Sequence, residues 1–315
     1  MTSAKLQTAS SPHLKGPDTI ALSMRDVLIA LAPVVIAALV AWLYSALFIM
    51  AVCVATAAGS ELLMRALRKK KATLNDGSAM LTGLFVALLM PPTISWAHAV
   101  IATFIAVALV KELMGGLGKN IFNPALFGFA FVILASGLLT PWTKFLGNVP
   151  AAFNGVTSAT PLALLKMGTA GTAGPSYMGL FFGYHGGAIS EVGALWVLLG
   201  GGYLLYKKTI RATIPVAILV TVAAVSAIVG KDPLYAILAG GVMLGAFFMA
   251  TDWVTSPMTN TGQILFGVLI GVAIVMIRTY AAPTGAVAYS ILLGNAFVPL
   301  LDKLFVPKKF GAVAA

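Results

Sequence analysis

The stretch Asn154-Gly-Val-Thr-Ser-Ala-Thr-Pro-Leu-Ala-Leu-Leu-Lys166 gathers Asn154, Thr157, Ser158 and Thr160 just ahead of a short apolar run. Thr160 followed by Pro161 has the form of an N-cap with proline at the first helical position, where a missing N–H costs nothing. One reading is simply a well-capped short helix. The other is a modification site. Gly155, Ser158 and Ala159 are small and leave the Thr160 hydroxyl open to an enzyme, and a phosphate esterified there would meet helix N–H groups and a favourable dipole. A second set of polar residues interrupts otherwise apolar sequence: Asn75-Asp-Gly-Ser78 with Thr82, then Asn120, Asn123 and Pro124, then Asp252, Thr255, Ser256, Pro257 and Thr259. Breaks of this kind inside a membrane occur where the backbone is buried in protein or lines a cavity. In water they would be ordinary turns.

Other chemistry is limited by what the chain contains. One thiol, Cys53, cannot hold an iron–sulfur cluster or a disulfide alone. Redox work therefore needs another cofactor or another subunit. His13, His98 and His185 lie far apart in sequence, which disfavours a paired haem ligand set.

The elements that must carry these residues follow from composition. Of 315 residues, 60% are hydrophobic and 9% are charged, with a mean hydropathy of +0.99. A soluble domain is about a quarter charged. A soluble enzyme and a disordered chain are both excluded, leaving an all-α polytopic membrane protein. The net charge of +11 reads as loop decoration, not nucleic-acid binding. Residues 1–26 are polar and mixed, so no cleavable signal peptide is expected.

Apolar runs fall near 27–44, 46–64, 78–91, 96–114, 121–139, 188–206, 213–230, 233–250, 262–279 and 284–305. With the N-terminus in the cytoplasm, alternation places 16 Lys and Arg inside and 4 outside, the last being Lys144, Lys166, Lys231 and Arg278. The expected organisation is a cytoplasmic tail (1–25), five helices (26–139), an outer loop (140–187), five helices (188–305) and a cytoplasmic tail (306–315). Five helices per half give the halves opposite orientations, the arithmetic of an inverted repeat. Leu126-Phe-Gly-Phe-Ala-Phe-Val132 echoes Leu292-Leu-Gly-Asn-Ala-Phe-Val298 at the fifth helix of each half. Glu61, Glu112 and Glu191 near helix ends read as solvated anchors, with ion ligation the lesser alternative, and Arg65–Lys71 reads as a topology determinant, with contact to a soluble partner or anionic lipid the lesser alternative.

The 154–161 segment resembles the flavin-attachment motif of the NqrB/RnfD family, Asp-x-x-Ser/Thr-Gly/Ser-Ala-Thr followed by Pro-Leu, with Asn154 where the family usually has Asp. Gly115-Gly-Leu-Gly-Lys-Asn-Ile-Phe-Asn-Pro-Ala125, Phe248-Met-Ala-Thr-Asp-Trp-Val-Thr-Ser-Pro257 with Gly262-Gln263, and Leu300-Leu-Asp-Lys303 are similar to its other signatures. The resemblance covers roughly residues 20–305. The length favours the RnfD branch over the NqrB branch, which carries a longer N-terminal extension.

The resemblance implies FMN joined to Thr160 through a phosphoester, with Asn154, Thr157, Ser158 and Ala159 completing the attachment motif and Thr157 the alternative acceptor. It also implies a second, noncovalent flavin, riboflavin or FMN, for which Asn120, Asn123, Thr82 and Asp252 are the candidate lining residues. The implied fold is urea-channel-like. The implied partners are a flavin transferase and the iron–sulfur and FMN-carrying subunits of an Rnf complex in the bacterial inner membrane. The implied work is electron transfer coupled to Na⁺ or H⁺ translocation, the ion being left open. The alternatives are an NqrB-type component of a sodium-pumping NADH:quinone reductase, and a solute channel or permease of the same architecture.

Overall fold

A computed structural model describes residues 19–71, 73–139, 161–168, 174–183, 185–281 and 283–306. The predicted attachment residues Asn154, Thr157, Ser158, Ala159 and Thr160 lie outside them.

Every regular element among the described residues is a helix. In chain order they are α1 (Ile20–Leu67), α2 (Ser78–Leu89), α3 (Trp96–Phe104, continuing as wider π-helical turns over Ile105–Leu113) and α4 (Pro124–Leu139). The short α5 (Pro161–Met167) and α6 (Tyr177–Phe182) follow. Then come α7 (Ala194–Tyr206), α8 (Thr213–Ile228), α9 (Pro233–Leu238), α10 (Val242–Leu244, with π-helical turns over Gly245–Met249), α11 (Asn260–Tyr280) and α12 (Ala286–Leu304).

All ten apolar runs contain helix. By length and hydropathy, however, four helices among the described residues suffice to cross a membrane: Ile20–Leu67, Trp96–Leu113, Asn260–Tyr280 and Ala286–Leu304. The run at 233–250 is split, because the chain leaves helical geometry between Leu238 and Val242. Ile36, Val40, Leu47, Leu199, Val220 and Ile228 are largely exposed. An apolar surface of this kind on several helices suits lipid, and the chain is a membrane protein.

α1 is two helical limbs joined by a sharp break. As one straight helix its 48 residues would extend about 70 Å, over twice the thickness of a bilayer core. Leu43 instead takes φ 30°, ψ −100°, and the Ser45 hydroxyl donates to the Trp42 carbonyl at 2.8 Å. Both far ends of α1 then reach the same turn. A Cβ on Gly77 would lie 3.8 Å from Met24 Cβ, and the Thr73 hydroxyl donates to Glu61 Oε1 at 2.7 Å. The two limbs are therefore antiparallel, as the separate runs 27–44 and 46–64 require. The first limb begins earlier than expected, at Ile20, where the Thr19 hydroxyl accepts from the Leu22 N–H at 3.3 Å.

Small residues set the helix spacing. Gly267 and Gly271 of α11 face Ala217 and Thr221 of α8, one turn apart. A Cβ on Gly83 of α2 would lie 2.7 Å from the Cys53 carbonyl oxygen of α1. The two glycines of the echoed segments occupy similar places. Gly128 of α4 packs on Ala102 and Ala106 of α3, and Gly294 of α12 packs on Phe266 and Ile270 of α11.

Cross-links between connections sort the bundle into two ends. At one end, Arg211 reaches Asn260, Trp253 reaches the Thr209 carbonyl, and Asp302 accepts from the Met258 N–H. At the other, Lys231 donates to the Lys166 carbonyl at 3.0 Å and Lys166 donates to the Ala281 carbonyl at 2.6 Å.

Candidate functional site

A cavity of about 260 Å³ opens where the start of α1, α2, the turn before α4 and the turn after α10 converge. Its walls are mainly apolar, including Met24, Leu81, Phe85, Leu204, Phe248 and Trp253. Thr82, Asn120, Asn123 and Asp252 all line it. These four come from three separate breaks in the sequence, and the tertiary structure places them around one space.

The polar residues are held as follows. Asn123 caps α4: its Oδ1 accepts from the N–H groups of Ala125 (3.1 Å) and Leu126 (3.3 Å), and Pro124 occupies the first helical position. Its Nδ2 donates to the Met249 carbonyl at 3.3 Å, and its backbone N–H donates to Asn295 Oδ1 at 3.1 Å. Both ends of the Asn123 amide are thus engaged within the protein, so it shapes the cavity wall more than it offers a contact. Asn120 Nδ2 donates to the Phe122 carbonyl at 3.1 Å. The Thr82 hydroxyl donates to the Ser78 carbonyl at 2.9 Å, and Asp252 Oδ2 accepts from the Thr255 hydroxyl at 3.0 Å.

Beside this cavity lies a charged network that sequence reading missed. Lys111 Nζ donates to Glu61 Oε2 at 2.7 Å and to the Ser78 hydroxyl at 2.6 Å. Ser78 in turn donates to Asp76 at 2.5 Å. Arg65 pairs with Glu112 at 3.3 Å, and Arg68 donates to the Glu112 carbonyl. Glu61 and Glu112 are 0% and 1% exposed, so the reading of them as solvated anchors is corrected. They sit at the ends of apolar runs, where composition suggests water. The neighbouring helices cover them instead, and burial is tolerated because each carboxylate has a cationic partner. Arg65 belongs to this network as well as to the basic cluster. A signal was present: Glu61 and Lys111 both fall inside apolar runs, where ionisable residues are seldom unpaired.

The opposite end holds a smaller cavity of about 70 Å³ lined by Leu162, Ser190, Glu191 and Arg278. Arg278, counted as a loop cation from sequence, is 5% exposed and donates to the carbonyls of Ala236 (2.7 Å) and Ala239 (2.9 Å). It thereby covers carbonyls left open where α9 ends. Nearby, Tyr177 donates to Asp232, which caps α9. Partial burial pushes the Asp232 carboxyl up, but the Tyr177 hydroxyl and the N–H groups of Tyr235 and Leu234 outweigh it and hold it below its usual range. Leu162 belongs to α5, which begins at Pro161 as the sequence pattern predicts.

Comparison with known proteins bears on what this arrangement does. The model of the NQR2, RnfD, RnfE family matches residues 7–311. The chain belongs to this family. Similar relatives include the D-type component of the Na⁺-translocating ferredoxin:NAD⁺ oxidoreductase complex of Acetobacterium woodii, 40% identical over 99% of this chain and 97% of the relative. The corresponding component of the proton-translocating ferredoxin:NAD⁺ oxidoreductase complex of Clostridium ljungdahlii is 38% identical over 96% and 95%. That of an ion-translocating oxidoreductase complex of Cronobacter sakazakii is 34% identical over 96% and 98%. The family assignment made from the signatures at 115–125, 154–161 and 248–257 therefore stands, on the RnfD side.

Proposed function

We propose that this chain is the flavin-carrying membrane component of a complex that couples ferredoxin and NAD redox chemistry to Na⁺ or H⁺ translocation. Near-full-length similarity to the D-type components of such complexes supports the translocase role. One relative belongs to a Na⁺-translocating complex and another to a proton-translocating one, so the ion is left open. The chain works with other subunits that carry iron–sulfur clusters and FMN, since Cys53 is its one thiol.

Two flavins are assigned. FMN is esterified through its phosphate to Thr160 by a flavin transferase, within the Asn154–Thr160 motif. A second flavin, riboflavin or FMN, is bound without a covalent bond in the 260 Å³ cavity. The observation that carries this second site is the convergence of Thr82, Asn120, Asn123 and Asp252 on one mostly apolar space. Phe85 and Phe248, 6.4 Å apart, supply aromatic wall, and a few polar residues line the same space, as a planar ring with a polar edge requires. The volume of about 260 Å³ lies just below the roughly 300–1,000 Å³ usual for ligand pockets. When bound, flavin supplies one- and two-electron chemistry that this chain's side chains lack. The protein's own part is to hold the ring away from water and to fix its edge.

The topology proposed is ten spans in two inverted five-helix repeats, with both termini cytoplasmic. The matched glycines at 128 and 294 and the antiparallel limbs of α1 support it. Acid denaturation of the purified complex tests the cofactor reading: this chain should yield both releasable flavin and flavin retained on the peptide that contains Thr160. Absence of both from complex made alongside active flavin transferase overturns it, and favours a solute channel of the same architecture.

A further inference from the structure

Lys111 is 2% exposed, yet it borders the 260 Å³ cavity and is the one cationic residue lining it among the described residues. Two of its three N–H donors are engaged, by Glu61 Oε2 at 2.7 Å and by the Ser78 hydroxyl at 2.6 Å. Glu61 is fully buried and takes no part in the cavity wall. Of the pair, Lys111 is thus the member that lines the cavity, and Ser78, which accepts from its Nζ, lines it too. The anionic lining residue, Asp252, comes from the turn after α10 and is engaged with Thr255.

We propose that Lys111 sets the electron affinity of the ring bound in this cavity, its ammonium facing an electron-rich edge. The inference rests on reading the cavity as the noncovalent flavin site. An electron arriving from a neighbouring iron–sulfur or flavin carrier adds one negative charge to the ring, and the same electron leaves for the next carrier. No bond forms and Lys111 keeps its proton. In a medium of low effective dielectric a fixed charge close to the ring weighs on that step far more than one in water. Lys111 favours the reduced ring, while Glu61, set behind it, opposes this more weakly. The two members of the pair act with opposite sign.

That opposition separates charge tuning from a merely structural role, in which Lys111 would only pin α3 to α1 and α2. Lys111→Met and Glu61→Gln are introduced into the intact complex; the acid-releasable flavin of each is quantified on one portion, and the bound noncovalent flavin is titrated in place on another for its midpoint potential. Lys111→Met should move the potential negative and Glu61→Gln should move it positive, with flavin content retained. Unmoved potentials, or shifts in the same direction, at full flavin content overturn the role of Lys111 while leaving the cavity reading intact. If native complex releases no flavin, the cavity reading itself fails and this role falls with it. Should Lys111→Met not assemble, the sign of the Glu61→Gln shift decides, since glutamine keeps an acceptor for the Lys111 ammonium.

Discussion

The backbone N–H of Asn123 donates to Oδ1 of Asn295 at 3.1 Å, joining residues 172 positions apart. Asn295 is 1% exposed, and its Nδ2 donates onward to the Thr255 carbonyl at 2.9 Å. One carboxamide in the middle of α12 thus ties the start of α4 to the turn after α10, the two breaks that frame the cavity. Asn295→Leu should leave a buried N–H and a buried carbonyl unpaired and cost about 2–4 kcal/mol. Denaturant unfolding of the detergent-solubilised protein measures it; a loss under about 0.5 kcal/mol, the scatter of neutral surface substitutions, would show that other groups satisfy both atoms.

Removing one member of the buried pair near the cavity should be worse than removing both. Glu61→Ala strands the Lys111 ammonium and should destabilise by about 3–5 kcal/mol. The double substitution Glu61→Leu with Lys111→Met should recover much of that loss, because no unpaired charge remains. Thermal unfolding of the variants beside the parent gives the comparison, and equal losses for single and double variants would contradict it.

α2 packs on α1 through Gly83. A side chain there meets the Cys53 carbonyl oxygen at 2.7 Å, an atom that the helix backbone holds in place. Gly83→Val should cost at least the roughly 1–3 kcal/mol typical of overpacking. Gly202, with nothing within 4 Å of an added Cβ, is the control, and Gly202→Ala should leave the unfolding midpoint unchanged or slightly raised. Monodispersity on gel filtration together with the melting temperature reports both.

Thr160→Ala should abolish in-gel flavin fluorescence of this chain on a denaturing gel, with the protein still assembling, since even the removal of a helix cap costs only about 1 kcal/mol. Thr160→Ser keeps a hydroxyl and should retain part of the signal. Persistent fluorescence in the alanine variant moves the attachment to Thr157.

Sidedness is accessible through single cysteines. The native Cys53 is 0% exposed and should stay silent toward an impermeant maleimide. Cysteine in place of Gly147 should react from the outer face of intact cells, and cysteine in place of Lys70 only from the inner face. The reverse pattern would invert the proposed orientation.

The sequence by itself determined the membrane class, the all-helical character and the family. These are local properties: hydropathy is summed over a window, and signatures such as Gly115–Ala125 are contiguous. It also marked Thr82, Asn120, Asn123 and Asp252 individually, because a polar residue or proline in an apolar run stands out without any partner being known. The family resemblance groups these four as candidates for one flavin; tertiary structure decided that they do line one cavity, since their neighbourhood depends on how α1, α2, α4 and α10 pack. It also decided the states of Glu61, Glu112, Lys111 and Arg278. Each lies at the end of an apolar run, where a charge is equally compatible with the water interface and with a buried partner. The choice between them was made by a residue 50 positions away in the case of Glu61 and Lys111, and by helix-end carbonyls about 40 positions away in the case of Arg278.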